Sequence, residues 1–213
     1  MTYTLRALAP PIAALAAVLV LASCGSGSGA GHDAGAMGGM SSSSGPVAGA
    51  TPATGDKNEA DTLFATMMIP HHAQAVTMAD LALSQATDAK VKALATRIKG
   101  AQGPEIARMS GWLTGWGAPV PATDGSDGSD MSGMSGMGGD TGGMMSAQQM
   151  TDLGAAKGPA FDQMWVQMMI AHHEGAVVMA RTELAKGANP EAKQLAQAII
   201  DSQSMEIAEM KSL

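Results

Sequence analysis

The sequence predicts an all-α protein, a four-helix bundle built from two repeated helical hairpins. Three observations support this fold class. The 213-residue chain is 46% hydrophobic but only 3% aromatic, and its apolar residues are mainly alanine, leucine, valine and methionine, a composition that favours helices over pleated sheets. A block of about 50 residues occurs twice. Within each copy, apolar residues recur at steps of three and four, the spacing of a helix that buries one face.

The duplication emerges when the chain is shifted by 101 residues without a gap. Residues 61–109 then align with residues 162–210, and 20 of the 49 aligned positions are identical. A repeat of this length in register indicates two equivalent supersecondary units. The identical pairs include Met67/Met168, Met68/Met169, His71/His172, His72/His173, Met78/Met179, Gln102/Gln203, Glu105/Glu206 and Met109/Met210.

The first unit, residues 58–116, is predicted to be a helical hairpin. Phe64, Met68 and His71 begin a seam at alternating steps of four and three residues. Asp88 marks the turn. The second helix of this hairpin is predicted to bury a stripe formed by Val91, Leu94, Ala95, Ile98, Gln102, Glu105, Ile106 and Met109.

The second unit, residues 148–213, repeats this plan with a clearer turn. Gly187 follows the predicted first helix, Asn189 is a good N-cap and Pro190 suits the first helical position. One hairpin has too little core to be stable alone. We therefore expect the two units to pack together as one bundle of about 120 residues.

The N-terminus predicts export and a lipid anchor. An apolar run over residues 7–21 is too short to span a membrane and is typical of a signal peptide, residues 1–23. Leu-Ala-Ser-Cys at its end resembles the bacterial lipobox, which predicts lipidation of Cys24 and a location on the cell membrane, outside the cytoplasm. The alternative is an ordinary secretory signal with a buried cysteine. Residues 24–57 are predicted to be a disordered tether, because they contain few core-forming residues.

A second low-complexity stretch, residues 117–147, is predicted to be a disordered linker rich in methionine and glycine. Methionines in such a segment have no core to fill, so we interpret them as auxiliary ligands for Cu(I) or Ag(I). Biased composition is the alternative explanation. The auxiliary methionines are Met131, Met134, Met137, Met144 and Met145.

Two pairs of adjacent histidines carry the candidate metal site. On a helix, residues three and four apart are neighbours, so methionines lie one turn away from each pair. Imidazole with thioether is a soft ligand set that suits copper, with methionine favouring Cu(I). A methionine stripe can also be simple core filler, and a buried histidine can be hydrogen-bonded without a metal. The candidate ligands are His71, His72, His172, His173, Met67, Met68, Met78, Met168, Met169, Met179, Met109 and Met210.

Polar residues on the second helix of each unit are predicted to support these ligands. A buried carboxylate needs a cation or an imidazole N–H, so Glu105 and Glu206 are expected to orient histidines or to balance charge. Gln102 and Gln203 lie on the same inward stripe.

Other functions find less support. The net charge of −7 and the pI of about 5.0 argue against nucleic-acid binding. None of the glutamates is followed three residues later by histidine, as a di-iron carboxylate bundle requires. Nucleotide-binding, zinc-protease and serine-hydrolase motifs are also absent from the sequence. We therefore expect a protein that is not an enzyme.

At the paired histidines the chain resembles the DUF305 family of exported bacterial proteins. The resemblance is carried by MMIPHHAQAVTMA (67–79), MMIAHHEGAVVMA (168–180), QGPEIARM (102–109) and QSMEIAEM (203–210). It implies a ferritin-like fold and, from some members of the family, copper binding and copper tolerance. By matching motif, that role would fall on the four paired histidines and the neighbouring methionines.

The leading hypothesis is an extracytoplasmic copper-binding lipoprotein that buffers or delivers Cu(I) or Cu(II), with a copper exporter or another copper protein as its partner. The alternative is a metal-free structural or interaction module of the cell envelope. A redox enzyme using bound copper or iron is a third hypothesis with less support in the sequence.

Overall fold

The computed structural model describes residues 56–123 and 142–213, and within these ranges every regular secondary-structure element is an α-helix. The signal peptide, most of the tether, Cys24 and residues 124–141 of the predicted linker lie outside the described residues. The helices are α1 (Glu59–Gln85), α2 (Ala89–Gly115), α3 (Ala147–Ala155), α4 (Gly158–Lys186) and α5 (Pro190–Met210). No helix in the described ranges has the length and apolar character needed to cross a membrane.

Polar caps begin the helices where the sequence predicted turns. Asp88 caps α2 by accepting from the Lys90 amide, and Asn189 caps α5 ahead of Pro190. Helix α4 also ends just before Gly187 as predicted, but not because this glycine adopts the left-handed conformation usual after a helix. Gly187 has φ of −65°, a value open to any residue. Glycine is needed there because an added Cβ would overlap the Glu183 carboxyl group.

Consecutive long helices pack in pairs. α1 packs against α2, α4 packs against α5, and α1 and α4 join the two pairs. The short helix α3, which the sequence analysis did not anticipate, packs against α4. The predicted linker also ends earlier than expected. Residues 142–146, which were assigned to it, lie against α1 and α4.

The two helical pairs exchange an equivalent contact at each end of the α1–α4 interface. Asp61, near the start of α1, accepts from the backbone amides of Ala188 and Asn189 after α4. Its repeat equivalent Asp162 accepts from the amides of Thr87 and Asp88 after α1. α1 and α4 are therefore antiparallel, and the repeated units are related by an approximate two-fold axis.

Buried side chains form two core clusters, and both helical pairs contribute residues to each cluster. The first contains Phe161, Trp165, Leu94 and Ile98, and the Trp165 indole donates to the Met78 carbonyl at 2.8 Å. The second contains Phe64, Trp112, Leu195 and Ile199 among others. Since each cluster needs residues of both units, neither pair has a complete core alone.

Candidate metal centre

The four paired histidines are buried together where α1 meets α4. His71 and His172 are repeat equivalents, and their rings contact each other with centroids 3.8 Å apart and planes tilted by 38°. The approximate two-fold axis therefore passes between them. His72 and His173 are fully buried as well. The structure thus brings together the imidazoles that the sequence analysis singled out.

We call His71 and His172 the inner histidines, and His72 and His173 the outer histidines. Each outer histidine is held by a glutamate of the neighbouring helix. Nε2 of His72 lies 2.7 Å from Oε2 of Glu105, and Nε2 of His173 lies 2.8 Å from Oε2 of Glu206. A carboxylate accepts, so Nε2 is the nitrogen that donates, and Nδ1 of each ring has no hydrogen-bond partner among the described residues. These contacts are those expected of glutamates that orient histidines.

Burial keeps the inner histidines neutral. Desolvation, helped by the neighbouring imidazoles, lowers the pKa of His71 to about 3, against a smaller opposing effect of the Gly142 carbonyl. Desolvation and the same neighbours hold the pKa of His172 well below its usual value of 6.5. A neutral ring keeps a lone pair for a metal without first losing a proton.

Several ring nitrogens at this centre have no hydrogen-bond partner among the described residues. They are Nδ1 of all four histidines and Nε2 of His172. A buried polar atom without a partner costs about 1–3 kcal/mol, so a group of five in one place requires an explanation. A neutral imidazole has one lone-pair nitrogen, so each of the four rings offers one nitrogen that a bound cation could partner, and these nitrogens are candidate metal ligands.

Methionines from both helical pairs pack in the two core clusters. Met68 lies about one turn before His71 on α1, and Met78 about two turns after it. Because α1 and α4 are antiparallel, Met78 joins Met169 and Met210 in the first core cluster. By the approximate symmetry, Met68, Met109 and the partly buried Met179 belong to the second. Six of the predicted methionines therefore divide between the two core clusters in repeat-equivalent sets of three.

The remaining predicted residues vary in exposure. Met67 and Met168 are partly buried, as are Glu105 and Glu206, whereas Gln102 and Gln203 are buried. Neither amide atom of Gln102 has a hydrogen-bond partner among the described residues. Gln102 and Gln203 therefore lie on a buried face of their helices, as predicted.

The auxiliary methionine string is only partly described. Met131, Met134 and Met137 lie outside the described residues. The expectation that Met145 belongs to a flexible segment with no core to fill is wrong, because its side chain is 8% exposed and packs in the first core cluster. Met144 is partly buried.

Sequence reasoning missed three residues that surround the centre. Gly142 presents its carbonyl oxygen to His71 Nε2 at 3.0 Å. Gln74 bonds both backbone groups of Met145, and Gly175 lies under Gly142 and Gly143. Gln74 and Gly175 occupy equivalent positions of the repeat but are different residues. This difference, within the most similar stretch of the repeat, was the signal in the sequence that could have pointed to Gln74 and Gly175.

The donor types limit the chemistry of the centre. Across residues 56–123 and 142–213, no group of three or more His, Cys, Asp or Glu residues is arranged to hold a metal. The carboxylates nearest the imidazoles already contact Nε2 atoms. Imidazole nitrogens and thioether sulfurs are the donors that remain, a set that suits a soft metal such as Cu(I).

Solved structures share this fold. The chain is 35% identical to CopM in the Cu(II)-bound form, with a TM-score of 0.59, over 71% of this chain and 93% of that one. CopM in the Cu(I)-bound form is 34% identical, with a TM-score of 0.56 and the same coverage. A DUF305 protein from Streptomyces coelicolor is 34% identical, with a TM-score of 0.61, over 71% of this chain and 89% of that one.

No curated protein matches the sequence. The model of the family described as "Domain of unknown function (DUF305)" matches residues 61–213, which include both copies of the repeat and all the described histidines. The family resemblance noted at the paired histidines is thereby confirmed, and the chain belongs to the DUF305 family.

Proposed function

We propose that this protein is a copper-binding lipoprotein without enzymatic activity, which buffers or delivers copper outside the cytoplasm. The observation that carries the proposal is the cluster of four buried imidazoles with unpartnered nitrogens, the inner two of them held neutral, on helices that also bury methionines in both core clusters. The similarity to CopM, solved with Cu(II), Cu(I) and silver bound, supports a metal as the ligand.

The proposed ligands are the two inner and two outer histidines together with the six predicted methionines of the two core clusters. The four imidazoles supply nitrogen donors that can bind copper in both oxidation states, and the methionines favour Cu(I). Glu105 and Glu206 would act on the outer histidines, fixing Nε2 as the protonated nitrogen. Copper is cargo in this proposal.

The fold proposed for this role is the ferritin-like four-helix bundle. The packing of α1 on α2, of α4 on α5 and of α1 on α4 supports it. The proposed address is the outer face of the cell membrane, with Cys24 lipidated and a copper exporter or another copper protein as the recipient. The lipobox-like sequence before Cys24 supports the anchor.

Copper titration of the full-length protein in detergent tests the proposal. Cu(I) and Cu(II) affinities are measured against competing chelators for the native chain and for a variant in which all four paired histidines are alanine. We expect the variant to lose tight binding of both ions. Unchanged affinity would reject the centre as the copper site.

A conservative set of variants covers the case in which the histidine variant does not fold. Leucine conserves the volume of methionine while removing its sulfur, so Met78→Leu, Met169→Leu and Met210→Leu together preserve the core. Met205→Leu is the matched control, because Met205 is 68% exposed. The triple variant should weaken Cu(I) more than Cu(II) binding, and the control neither.

The metal-free envelope module makes the opposite prediction. In that case the imidazoles serve only as core side chains, and copper leaves the melting temperature unchanged. A ligand that binds only the folded state must raise it. A melting curve with and without copper therefore separates the two functions.

A further inference from the structure

Residues 142–145, which we call the strap, cross α1 and α4 beside the inner histidines. Gly142 and Gly143 have φ of 60° and 81°, the left-handed region that favours glycine. The strap therefore makes a turn that other residues adopt only with strain. It ends at Met145, whose side chain is buried in the first core cluster.

On α4 the strap lies directly on the helix backbone. A Cβ at position 175 would overlap the Gly142 carbonyl group, and one at position 143 would overlap the Ala171 carbonyl oxygen. Glycine weakens the interior of a helix relative to alanine, so Gly175 requires a reason. The close approach of the strap provides it.

On α1 the strap is held by the side-chain amide of Gln74, which pairs with the backbone carbonyl and amide of Met145 as a backbone strand would. Nε2 of Gln74 donates to the Met145 carbonyl at 2.8 Å, and the Met145 amide donates to Oε1 of Gln74 at 2.7 Å. Gln74 and Gly175 are repeat equivalents. The same position thus binds the strap on one helix and makes room for it on the other.

The strap covers one of the inner histidines. The carbonyl oxygen of Gly142 accepts from Nε2 of His71 at 3.0 Å, and His71 is only 1% exposed. The Met179 sulfur lies 4.0 Å from where a Cβ of Gly142 would stand. The strap therefore lies over His71 and next to a candidate sulfur ligand.

We propose that the strap closes the paired-histidine centre, that Gln74 and Gly175 hold it closed, and that copper reaches His71 when it opens. The strap belongs to none of the helices, so it can open by losing its own contacts while α1 and α4 remain folded. The consequence for copper rests on the proposed function. The closure itself can be measured without metal.

Two variants open the strap by different means. Gln74→Ala removes both hydrogen bonds to Met145 and leaves a good helix former on α1. Gly175→Ala places a methyl group where the strap backbone lies. Gly111→Ala on α2 is the matched control, because a Cβ there meets no atom within 4 Å. Circular dichroism checks that each variant keeps its helices.

The first readout is labelling of the metal-free, full-length protein with diethyl pyrocarbonate, which reacts with accessible neutral imidazole. Labelling of His71 is quantified by mass spectrometry of its peptide. Because two hydrogen bonds are lost, we expect labelling in Gln74→Ala to rise about tenfold or more. Gly175→Ala should show a comparable rise, and Gly111→Ala should match the native chain.

The second readout is the rate of Cu(I) uptake by stopped flow, compared with affinity at equilibrium. Opening the strap should speed uptake while the four histidines stay in place. Unchanged labelling of His71 in both strap variants would overturn the proposal, whatever their copper affinity. Increased labelling of His71 without any copper binding would support the closure of the centre by the strap and would reject the proposed copper-binding function.

Discussion

We expect the native protein to lose stability as pH rises, and replacing Glu183 by glutamine should abolish that loss. Glu183 is 1% exposed on α4, beside Asp61 and Gly187. Burial, then the hydrogen bond to Asp61 and the negative charge of Asp61, raise the pKa of Glu183 to about 8. At neutral pH its carboxyl group is therefore largely protonated, and in that form it can donate a hydrogen bond to Asp61.

The repeat explains why a protonated carboxyl is used there. At the other end of the α1–α4 interface, the Thr87 hydroxyl donates to Asp162. The equivalent of Thr87 is Ala188, which has no hydroxyl, whereas Glu183 replaces Ala82 of the first unit. Glu183 thus supplies the donor that the second turn lacks. Unlike a hydroxyl, it loses its proton at moderately high pH.

The sign of the effect follows from linkage. The pKa of Glu183 is raised from 4.5 to about 8 by folding, so its stabilising contribution is complete below about pH 4.5 and is lost as pH rises through 8. The pKa difference of about 3.5 corresponds to an upper value of about 5 kcal/mol, and an effective dielectric above that of a dry interior reduces this to a few kcal/mol.

Asp61 contributes in the opposite direction. Burial by itself opposes its ionisation, but amides of Asn58, Asn189 and Ala188 and the Glu183 side chain outweigh that effect and lower its pKa below 3.8. Its stabilisation is therefore present at neutral pH and is lost only in acid, as pH falls through the lowered pKa. The acid side of the stability profile should survive the Glu183 substitution.

The assay is urea unfolding between pH 5 and pH 9, with the free energy of unfolding as the readout. The native chain should lose stability across this range relative to Glu183→Gln, whose amide donates to Asp61 at every pH. Glu174→Gln on the same helix is the control, because Glu174 is exposed and pairs with Lys211. Histidine titration is common to all three proteins. Parallel profiles for the native chain and Glu183→Gln would refute the reasoning.

Two further substitutions test the interface and the centre. Asp162→Asn should destabilise the fold by about 1–3 kcal/mol, because an amide cannot accept from Thr87 and Asp88 with both of its terminal atoms. Urea unfolding measures this, and an unchanged midpoint would show that the anchor contributes nothing. Glu105→Gln combined with Glu206→Gln should lower copper affinity about 10- to 100-fold with little change in helicity. Competition titration measures it, with Glu174→Gln as the control, and an unaltered affinity would contradict the role assigned to these carboxylates.

Much of the candidate centre was predictable because the relevant information is local. The steps of three and four residues determine which side chains share a face of α1 and α4, and duplication shows which positions are equivalent. Burial of His71 and His172 followed from their place on apolar stripes. The turns at Asp88 and Asn189 followed from N-cap chemistry, which involves only neighbouring residues.

Contacts between distant segments were not predictable in the same way. Glu183 reads as a polar residue at the end of a helix until Asp61 is placed beside it, more than 120 positions away. Gln74 and Gly175 stand out as a mismatch in the repeat, but only the strap explains both. Met145 was assigned to a flexible string because its neighbours in sequence are small and polar. Its actual neighbours are core residues of other helices.

The amino-acid sequence by itself determined the four long helices, their duplication, the family and the types of metal donor available, because each depends on residue type and short-range spacing. Tertiary structure alone decided that α1 and α4 run antiparallel, that His71 contacts His172, that the buried methionines divide between two core clusters, and that the strap covers His71. Those features arise from packing between residues about 70 to 130 positions apart, for which local periodicity carries no signal.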